Sequence, residues 1–125
     1  MGRPGGEVLE VFFERVRKKY PKQLFMADCS TLEEGIWADK IGFDIIGTTL
    51  NGYTSYTCNE CLPNINLMRE LVRKTNKPVI AEGGIWTPAQ LQEVLKSGVW
   101  AAVVGTAITR PMDITKRFVK ALPSD

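Results

Sequence analysis

Two segments in the second half of the chain are each predicted to form a buried strand that runs into a turn of small residues. They are residues 78–84, PVIAEGG, and residues 101–107, AAVVGTA. Short apolar runs with β-branched residues, bounded by proline or glycine, are typical of strands covered on both faces, as in parallel sheets. Glycines after such strands allow a phosphate to approach backbone N–H groups, which a Cβ would prevent. In (β/α)8 barrels the phosphate site lies in the loops after the seventh and eighth strands, so the pairing favours this end of a barrel.

The rest of the chain alternates predicted helices and strands at roughly the thirty-residue spacing of βαβ units. A first helix over residues 6–20 has no strand before it, and its apolar face is predicted to be Val8, Val11, Phe12 and Val16. Four strand–helix units follow, and this alternation predicts a parallel sheet with helices outside. The strands are predicted to begin at Leu24, Phe43, Pro78 and Ala101, and the helices after them at Ser30, Pro63, Thr87 and Asp113.

Two of these helices carry recognisable end signals. Ser30 and Glu33 have the spacing of a capping box, and Gly42 is the expected stop of that helix. Thr87 and Gln90 form a second such pair around a proline at the first helical position. The sequence therefore predicts where both helices begin.

Four strands are half the number in a (β/α)8 barrel, whose typical length is about 250 residues; the chain has 125. The predicted fold class is α/β: a parallel (β/α) half-barrel, the last four βα units of a TIM barrel, preceded by one helix. It is predicted to be one partial domain over residues 1–125. A half-barrel exposes two strand edges and an unfilled interior, which favours association. A fragment, a subunit completed by a partner, and a short open sheet of another type are the three alternatives at this point.

The composition argues against several classes of function. An apolar content of 44% is enough for a core, and 16 basic against 14 acidic residues leave a net charge of only +2. The basic residues form no stripe, so no nucleic-acid partner is expected. No apolar run approaches membrane-spanning length, and the first residues lack the apolar segment of a signal peptide. No membrane partner is therefore expected, and the predicted location is cytoplasmic.

The three cysteines, Cys29, Cys58 and Cys61, are expected to be free thiols. An odd number without an export signal does not indicate a disulfide framework. Cys58 and Cys61 have the C-x-x-C spacing of redox and zinc sites, but a zinc site needs four nitrogen or sulfur ligands. The chain has no histidine and one further cysteine. No metal site is predicted, and the pair is interpreted as two loop cysteines.

Residues at the carboxyl ends of the predicted strands are the candidate site residues, since these ends face the active site of a parallel barrel. Asp28 and Glu82 each follow an apolar strand without an adjacent positive charge, which suits acid–base or orienting roles. The alternative is that they cap the next helix. Arg110 is either an anion-binding group or an exposed arginine on the barrel rim. The other candidates are Thr48, Thr49, Gly83, Gly84, Gly105 and Thr106.

Longer stretches of the sequence resemble one family in their order and spacing. They are residues 24–35, LFMADCSTLEEG; 42–54, GFDIIGTTLNGYT; 80–83, IAEG; and 103–111, VVGTAITRP. The family is that of bacterial N-acetylmannosamine-6-phosphate 2-epimerases, and the resemblance covers essentially the whole chain. Arg3 and Pro4 resemble the end of the loop after that family's fourth strand.

The resemblance implies a (β/α)8 barrel that interconverts N-acetylmannosamine 6-phosphate and N-acetylglucosamine 6-phosphate in sialic-acid and amino-sugar catabolism. The reaction removes and returns the proton at C2, next to the C1 carbonyl of the ring-opened sugar, and uses no redox cofactor. By resemblance, Glu82 is the catalytic glutamate, Asp28 contacts the substrate and Arg110 is an active-site arginine. The implied ligand is a phosphorylated amino sugar, its phosphate held by Gly83, Gly84, Gly105 and Thr106, with further contacts from Thr48, Thr49 and Tyr53.

The chain departs from the family pattern in two ways. Gly84 stands where many members carry a longer, often basic residue. The family's catalytic lysine lies on the third strand, in the half that the chain lacks, and Lys40, Lys77 and Lys96 flank helices or strand starts instead. The expectation is an epimerase half with little or no activity alone. It is expected to work only in a barrel completed by a missing N-terminal half-barrel. The resemblance also implies a possible homodimer through the C-terminal helix, at residues 114–122.

Two other functions compete with this expectation. The first is a non-catalytic phosphosugar-binding fragment, which would share the phosphate site and lack the base. The second is a relative of ribulose-phosphate epimerases, but that class usually binds a metal through histidines, and the chain has none.

Overall fold

Four short parallel strands form one sheet, whose helix-facing side carries the core. The computed structural model describes residues 6–123, so Arg3 and Pro4 lie outside the described residues. The elements in chain order are α1 (Leu9–Lys19), β1 (Met26–Asp28), α2 (Leu32–Ile41), β2 (Ile45–Gly47), α3 (Ile65–Lys74), β3 (Val79–Glu82), α4 (Pro88–Lys96), β4 (Ala101–Val103), α5 (Thr106–Thr109) and α6 (Pro111–Val119).

The strands are ordered β1-β2-β3-β4, and each pairs in parallel with the next strand along the chain. This is the order of consecutive strands in a barrel, so the predicted half-barrel is confirmed. The register places Asp28 beside Gly47 at one end of the sheet, and Glu82 beside Val103. All four carboxyl ends therefore meet at the same edge, where the candidate residues were expected.

The helix-facing side of the sheet carries the core. Ile46, Val79 and Ala81 are buried there together with Met68 and Leu71 of α3. Side chains alternate along a strand, so Met26 of β1 and Val103 of β4, which pair with Ile45 and Glu82, point to the opposite side. On that side Met26 is 43% exposed and Val103 is 41% exposed. The half-barrel thus has one packed face and one open apolar face.

Helix α1 packs through a different face from the one predicted. Phe13 is its buried residue; its ring stacks on Phe43 at 4.1 Å between centroids and meets Phe25 edge-on. Val8 and Val11 are 60% and 52% exposed, so the predicted valine face was wrong. A single phenyl ring between two others buries more apolar area than the short valines would, and it decides the helix rotation.

The end signals of α2 and α4 are only partly as predicted. The capping box of α2 is Thr31 with Glu34, one residue later than the predicted pair. Gly42 does end this helix, with a φ of +96°. The Thr87 and Gln90 capping box of α4 is confirmed.

Two other helix starts differ from the prediction. Helix α3 begins at Ile65, after an N-cap by Asn64, and not at Pro63. The last helix begins at Pro111, two residues earlier than predicted, because the proline occupies its first turn. Among residues 6–123, none of the helices is both long enough and apolar enough to cross a bilayer.

Candidate active site

A cavity of about 300 Å³ lies at the carboxyl ends of β3 and β4. Its walls come from the turn after β3, from the junction of β4 with α5, and from the segment after β2. Among the described residues, Glu82 is its only charged lining residue. The other lining residues are Thr49, Tyr53, Gly83, Gly84, Ile85, Trp86, Val103, Gly105, Thr106 and Ala107.

The turn after β3 requires glycine at both of its positions. Gly83 and Gly84 have φ values of +102° and +71°, in the left-handed region that side chains disfavour. A Cβ on Gly84 would overlap the Cβ of Leu62, and a Cβ on Gly83 would lie 3.6 Å from the Tyr53 ring. The turn is therefore pressed against the loop of residues 50–62. A longer residue at position 84 would require Leu62 to move.

The second small-residue turn joins β4 to α5. Gly105 precedes the helix and accepts hydrogen bonds at its carbonyl from the backbone N–H groups of Ile108 and Thr109. Thr106 is the first residue of α5, and N–H groups in a first helical turn have no partner within the helix. A Cβ on Gly105 would meet no heavy atom within 4 Å, so the space beside it is open. Backbone donors and open space are what an anion such as phosphate needs.

Two carboxylates meet beside the cavity through one hydroxyl group. Thr49 Oγ1 lies 3.0 Å from Asp28 Oδ1 and 3.2 Å from Glu82 Oε2. Asp28 ends β1 and Glu82 ends β3, while Thr49 follows the strand between them. The sequence predicted all three at this edge but gave no sign that they touch.

Thr48 is placed differently from its neighbour. It is 1% exposed, and it does not line the cavity. Its hydroxyl donates to the carbonyl of Glu82 at 2.8 Å and accepts from the N–H of Glu82 at 2.9 Å. Thr48 thus holds the backbone of Glu82 from the neighbouring strand.

Arg110 lines a second cavity, of about 590 Å³, that adjoins the first. The two cavities share the walls formed by Tyr53, Trp86 and Thr106. Arg110 Nε lies 3.1 Å from Asp113 Oδ2. The other lining residues of this cavity are Asp113, Lys116, Arg117 and Lys120, so it has four basic side chains and one acidic one.

These basic residues were missed in the sequence, although their spacing gives a signal. Lys116 and Lys120 are four residues apart, and Arg110, Asp113, Lys116 and Lys120 repeat at three- or four-residue intervals on one helical face. Arg117 lies over the Trp86 ring, 5.1 Å from its centroid. Trp86 is therefore part of the wall between the two cavities.

The loop that carries Tyr53 is attached to α2 by a carboxylate. Glu34 accepts hydrogen bonds from the Ser30 N–H and hydroxyl, both at 2.6 Å, and from the Tyr56 hydroxyl at 2.8 Å. Burial opposes its ionised form, but the hydrogen bonds from Ser30, Tyr56 and Thr31 hold the pKa of Glu34 below its usual value. We call the Glu34–Tyr56 contact the loop latch. It joins the cap of α2 to the wall of the cavity.

Comparison with known proteins identifies the family. The profile of the family described as "Putative N-acetylmannosamine-6-phosphate epimerase" matches residues 2–124. The chain belongs to this epimerase family. Proteins named "Putative N-acetylmannosamine-6-phosphate 2-epimerase" are 55% identical over 94% of the chain in Caldanaerobacter subterraneus subsp. tengcongensis and 46% identical over 98% in Listeria welshimeri.

The solved structure of an epimerase supports the same assignment, and a second solved structure supports the fold. The N-acetylmannosamine-6-phosphate 2-epimerase from Clostridium perfringens is 48% identical, with a TM-score of 0.86 over 96% of this chain and 52% of that one. A thiamine phosphate pyrophosphorylase from Pyrococcus furiosus is 27% identical, with a TM-score of 0.64. The chain covers 49% and 53% of the two relatives named above, so it spans about half the length of the curated relatives it matches.

The first cavity of this epimerase-family chain has no lysine among its described lining residues. Lys77 lies instead 3.9 Å from Asp39, and Lys96 pairs with Glu93 at 2.8 Å. Both pairs involve residues of the helices or of the loop that enters β3, away from the carboxyl ends of the strands. The described lysines that lie nearest in the cavity linings are Lys116 and Lys120 of the adjoining basic cavity.

The three cysteines do not belong to a group of metal-ligating side chains within residues 6–123. Burial, together with the charges of Glu34 and Asp28, raises the pKa of Cys29 to about 12, so its thiol is neutral. Cys58 and Cys61 are exposed free thiols. Within residues 6–123 there is no group of three or more metal-ligating side chains.

Proposed function

We propose that the chain is the C-terminal half of an N-acetylmannosamine-6-phosphate 2-epimerase, and that it supplies the phosphate site and the two carboxylates of the reaction. The observation that carries this proposal is the pairing of Asp28 and Glu82, through Thr49, beside a glycine-walled cavity. A phosphate in the cavity would place the rest of a sugar over the carboxylates. Backbone donors, and not a metal, would hold the phosphate.

The reaction removes the C2 proton, which the C1 carbonyl of the open-chain sugar makes acidic, and returns it to the other face. Such a reaction needs a base, a group that steers or neutralises it, and donors for the enolate oxygen. In this proposal Glu82 is the catalytic glutamate and Asp28 contacts the sugar. Arg110 and the basic cavity would balance the phosphate charge. The amine base would come from the third strand of a complete barrel.

The partner in this proposal is an N-terminal half-barrel with four further βα units. The open apolar face at Met26 and Val103 and the free edges of β1 and β4 are the surfaces that it would cover. A homodimer through residues 114–122 is a second association that we propose. Phe118 is 74% exposed there. A cytoplasmic location remains a prediction.

The test combines the purified chain with the N-terminal half of the Clostridium perfringens relative. We expect epimerisation and exchange of the C2 proton for deuterium from the mixture, and little or none from either half alone. The matched control is the Glu82→Gln chain, for which we expect a rate lower by about 100-fold or more. Binding of the sugar phosphate by the mixture without C2 exchange would favour the non-catalytic phosphosugar-binding function. Full turnover by the chain alone would refute the need for a partner.

A further inference from the structure

The loop between β2 and α3 carries two thiols that the proposed reaction does not use. Cys58 and Cys61 are both exposed and free, and they stand three residues apart in the loop of residues 50–62, whose Tyr53 lines the first cavity. A zinc site needs four ligands, and within residues 6–123 no third ligating side chain joins the pair. Two thiols at this spacing are instead typical of dithiols that oxidise to a disulfide.

A tight turn brings the two cysteines toward each other. The N–H of Glu60 donates to the carbonyl of Thr57 at 2.9 Å, which closes the turn. Cys58 lies inside this turn and Cys61 directly follows it. Where a chain turns in this way, residues three apart come within about 7 Å of each other. A disulfide spans α-carbons about 4.4–6.8 Å apart, so the turn suits a bridge between the two thiols.

Both ends of this turn are attached to the wall of the first cavity. The Thr57 hydroxyl accepts a hydrogen bond from the N–H of Gly52 at 3.0 Å. On the other side Leu62, which follows Cys61, packs so closely against Gly52 and Gly84 that a Cβ at either glycine would overlap it. A covalent link across the turn would therefore restrain the parts of the loop that shape the cavity.

The neighbours of this loop belong to the chain itself. On one side Tyr56 donates to Glu34 of α2, and on the other Leu62 meets the turn after β3. The strand that leads into the loop, β2, pairs with β1 and with β3. The loop therefore lies over the middle of the sheet, and not at the edges where we propose that an N-terminal half-barrel joins.

We propose that Cys58 and Cys61 form a reversible dithiol–disulfide site, which reacts with small-molecule disulfides of the glutathione class and restrains the cavity wall when oxidised. One thiolate attacks a sulfur of the oxidant, which forms a mixed disulfide and releases one small thiolate. The second thiolate then attacks the protein sulfur of the mixed disulfide and releases the other small thiolate. The two protein thiols lose two electrons and two protons, and the oxidant takes them up as it becomes two thiols.

The site is tested by treating the reduced, folded chain with glutathione disulfide, followed by mass spectrometry and peptide mapping. We expect the unsubstituted chain to lose two hydrogens, keep no glutathione and carry a bridge between Cys58 and Cys61. Cys58→Ser and Cys61→Ser should each stop at a mixed disulfide on the remaining exposed cysteine. Buried Cys29 is the internal control and should stay reduced. Unreacted thiols, a lasting mixed disulfide in the unsubstituted chain or a bridge between two chains would overturn the proposal.

The restraint is tested by hydrogen exchange of the reduced and the oxidised chain. A ring closed over residues 58–61 removes open conformations of the loop, so peptides from residues 50–62 should exchange about 10-fold more slowly after oxidation. Peptides from α1, which packs on Phe25 and Phe43, are the reference. The double variant Cys58→Ser/Cys61→Ser, treated in the same way, should show no slowing. Unchanged or faster exchange of the oxidised loop would contradict the restraint.

Both measurements go beyond the proposed function and are independent of it. They need neither a sugar phosphate nor the N-terminal half of a relative. The mixing assay could therefore fail while the thiol pair oxidises and slows the loop, and the thiol pair could fail while the mixture epimerises.

Discussion

At the scale of single residues, Gly84 is where the backbone of the site meets a distant loop. A side chain at position 84 would destabilise the fold in two separate ways, through the φ of +71° and through the overlap of its Cβ with Leu62. Gly42 has a φ of +96° with nothing within 4 Å of its Cβ position, so a substitution there measures the effect of the positive φ without a steric overlap. We expect Gly42→Ala to lower the free energy of unfolding by about 1–2 kcal/mol, and Gly84→Ala by about 1–3 kcal/mol more. Urea unfolding measures both, and equal losses would show that Leu62 does not constrain the turn.

Also at the scale of single residues, the surroundings of each cysteine decide which thiols react. The pKa of Cys29 is raised to about 12 by burial and by nearby carboxylates, whereas Cys58 and Cys61 are exposed. Because the thiolate is the nucleophile, iodoacetamide at pH 8 should label two thiols of the folded chain and a third only after unfolding in urea. Mass spectrometry counts the labels. Rapid labelling of Cys29 in the folded chain would contradict its described environment.

At the scale of elements, the loop latch ties the cavity wall to α2. Tyr56→Phe removes the phenol that donates to Glu34 and leaves the capping box intact. We expect it to lower the free energy of unfolding by about 1 kcal/mol at pH 7. Tyr20→Phe, at an exposed phenol after α1, is the matched control and should change little. Thermal or urea unfolding measures the difference.

The pH dependence of this effect follows from the sign of the shift. The folded-state pKa of Glu34 is lowered, so the ionised latch is favoured above the usual range of a glutamate and is lost as pH falls through the lowered value. The difference between the unsubstituted chain and Tyr56→Phe should therefore shrink toward zero in acid. A difference that stays constant from pH 7 to acid would show that Tyr56 acts without the Glu34 carboxylate.

Elements were predicted well where one local signal stood alone. Only Thr87 and Gln90 can form the capping box of α4, because Pro88 fixes the first turn of the helix. At α2 two neighbouring pairs have capping-box spacing, Ser30 with Glu33 and Thr31 with Glu34. The second pair forms, because Glu34 also binds Ser30 and Tyr56. The tyrosine lies 22 residues further along the chain. No local pattern could have shown it.

The site shows the same division between local and long-range information. The strand-end position of Asp28, Thr49 and Glu82 could be predicted because a parallel sheet brings all carboxyl ends to one edge. Their contact through one hydroxyl depends on side-chain rotamers and on the missing Cβ of Gly47. The basic cavity depends on how α6 packs beside Trp86. These features come from tertiary packing and not from sequence periodicity.

At the scale of the whole molecule, β1 and β4 are the edge strands of the sheet. Within residues 6–123 each pairs with a strand on one side only, which leaves its outer backbone groups available to another chain. We expect their amides to exchange with deuterium faster than those of β2 and β3, which have neighbours on both sides.

Adding the N-terminal half of the Clostridium perfringens relative should slow exchange in β1 and β4 selectively, because a closed barrel leaves no edge. Amides of α3, which already packs on β3, serve as the internal reference. Mass spectrometry of peptic peptides follows each strand separately. Unchanged edges in the mixture would mean that the half-barrels do not join, whereas protection spread evenly over all strands would indicate a general gain in stability without edge pairing.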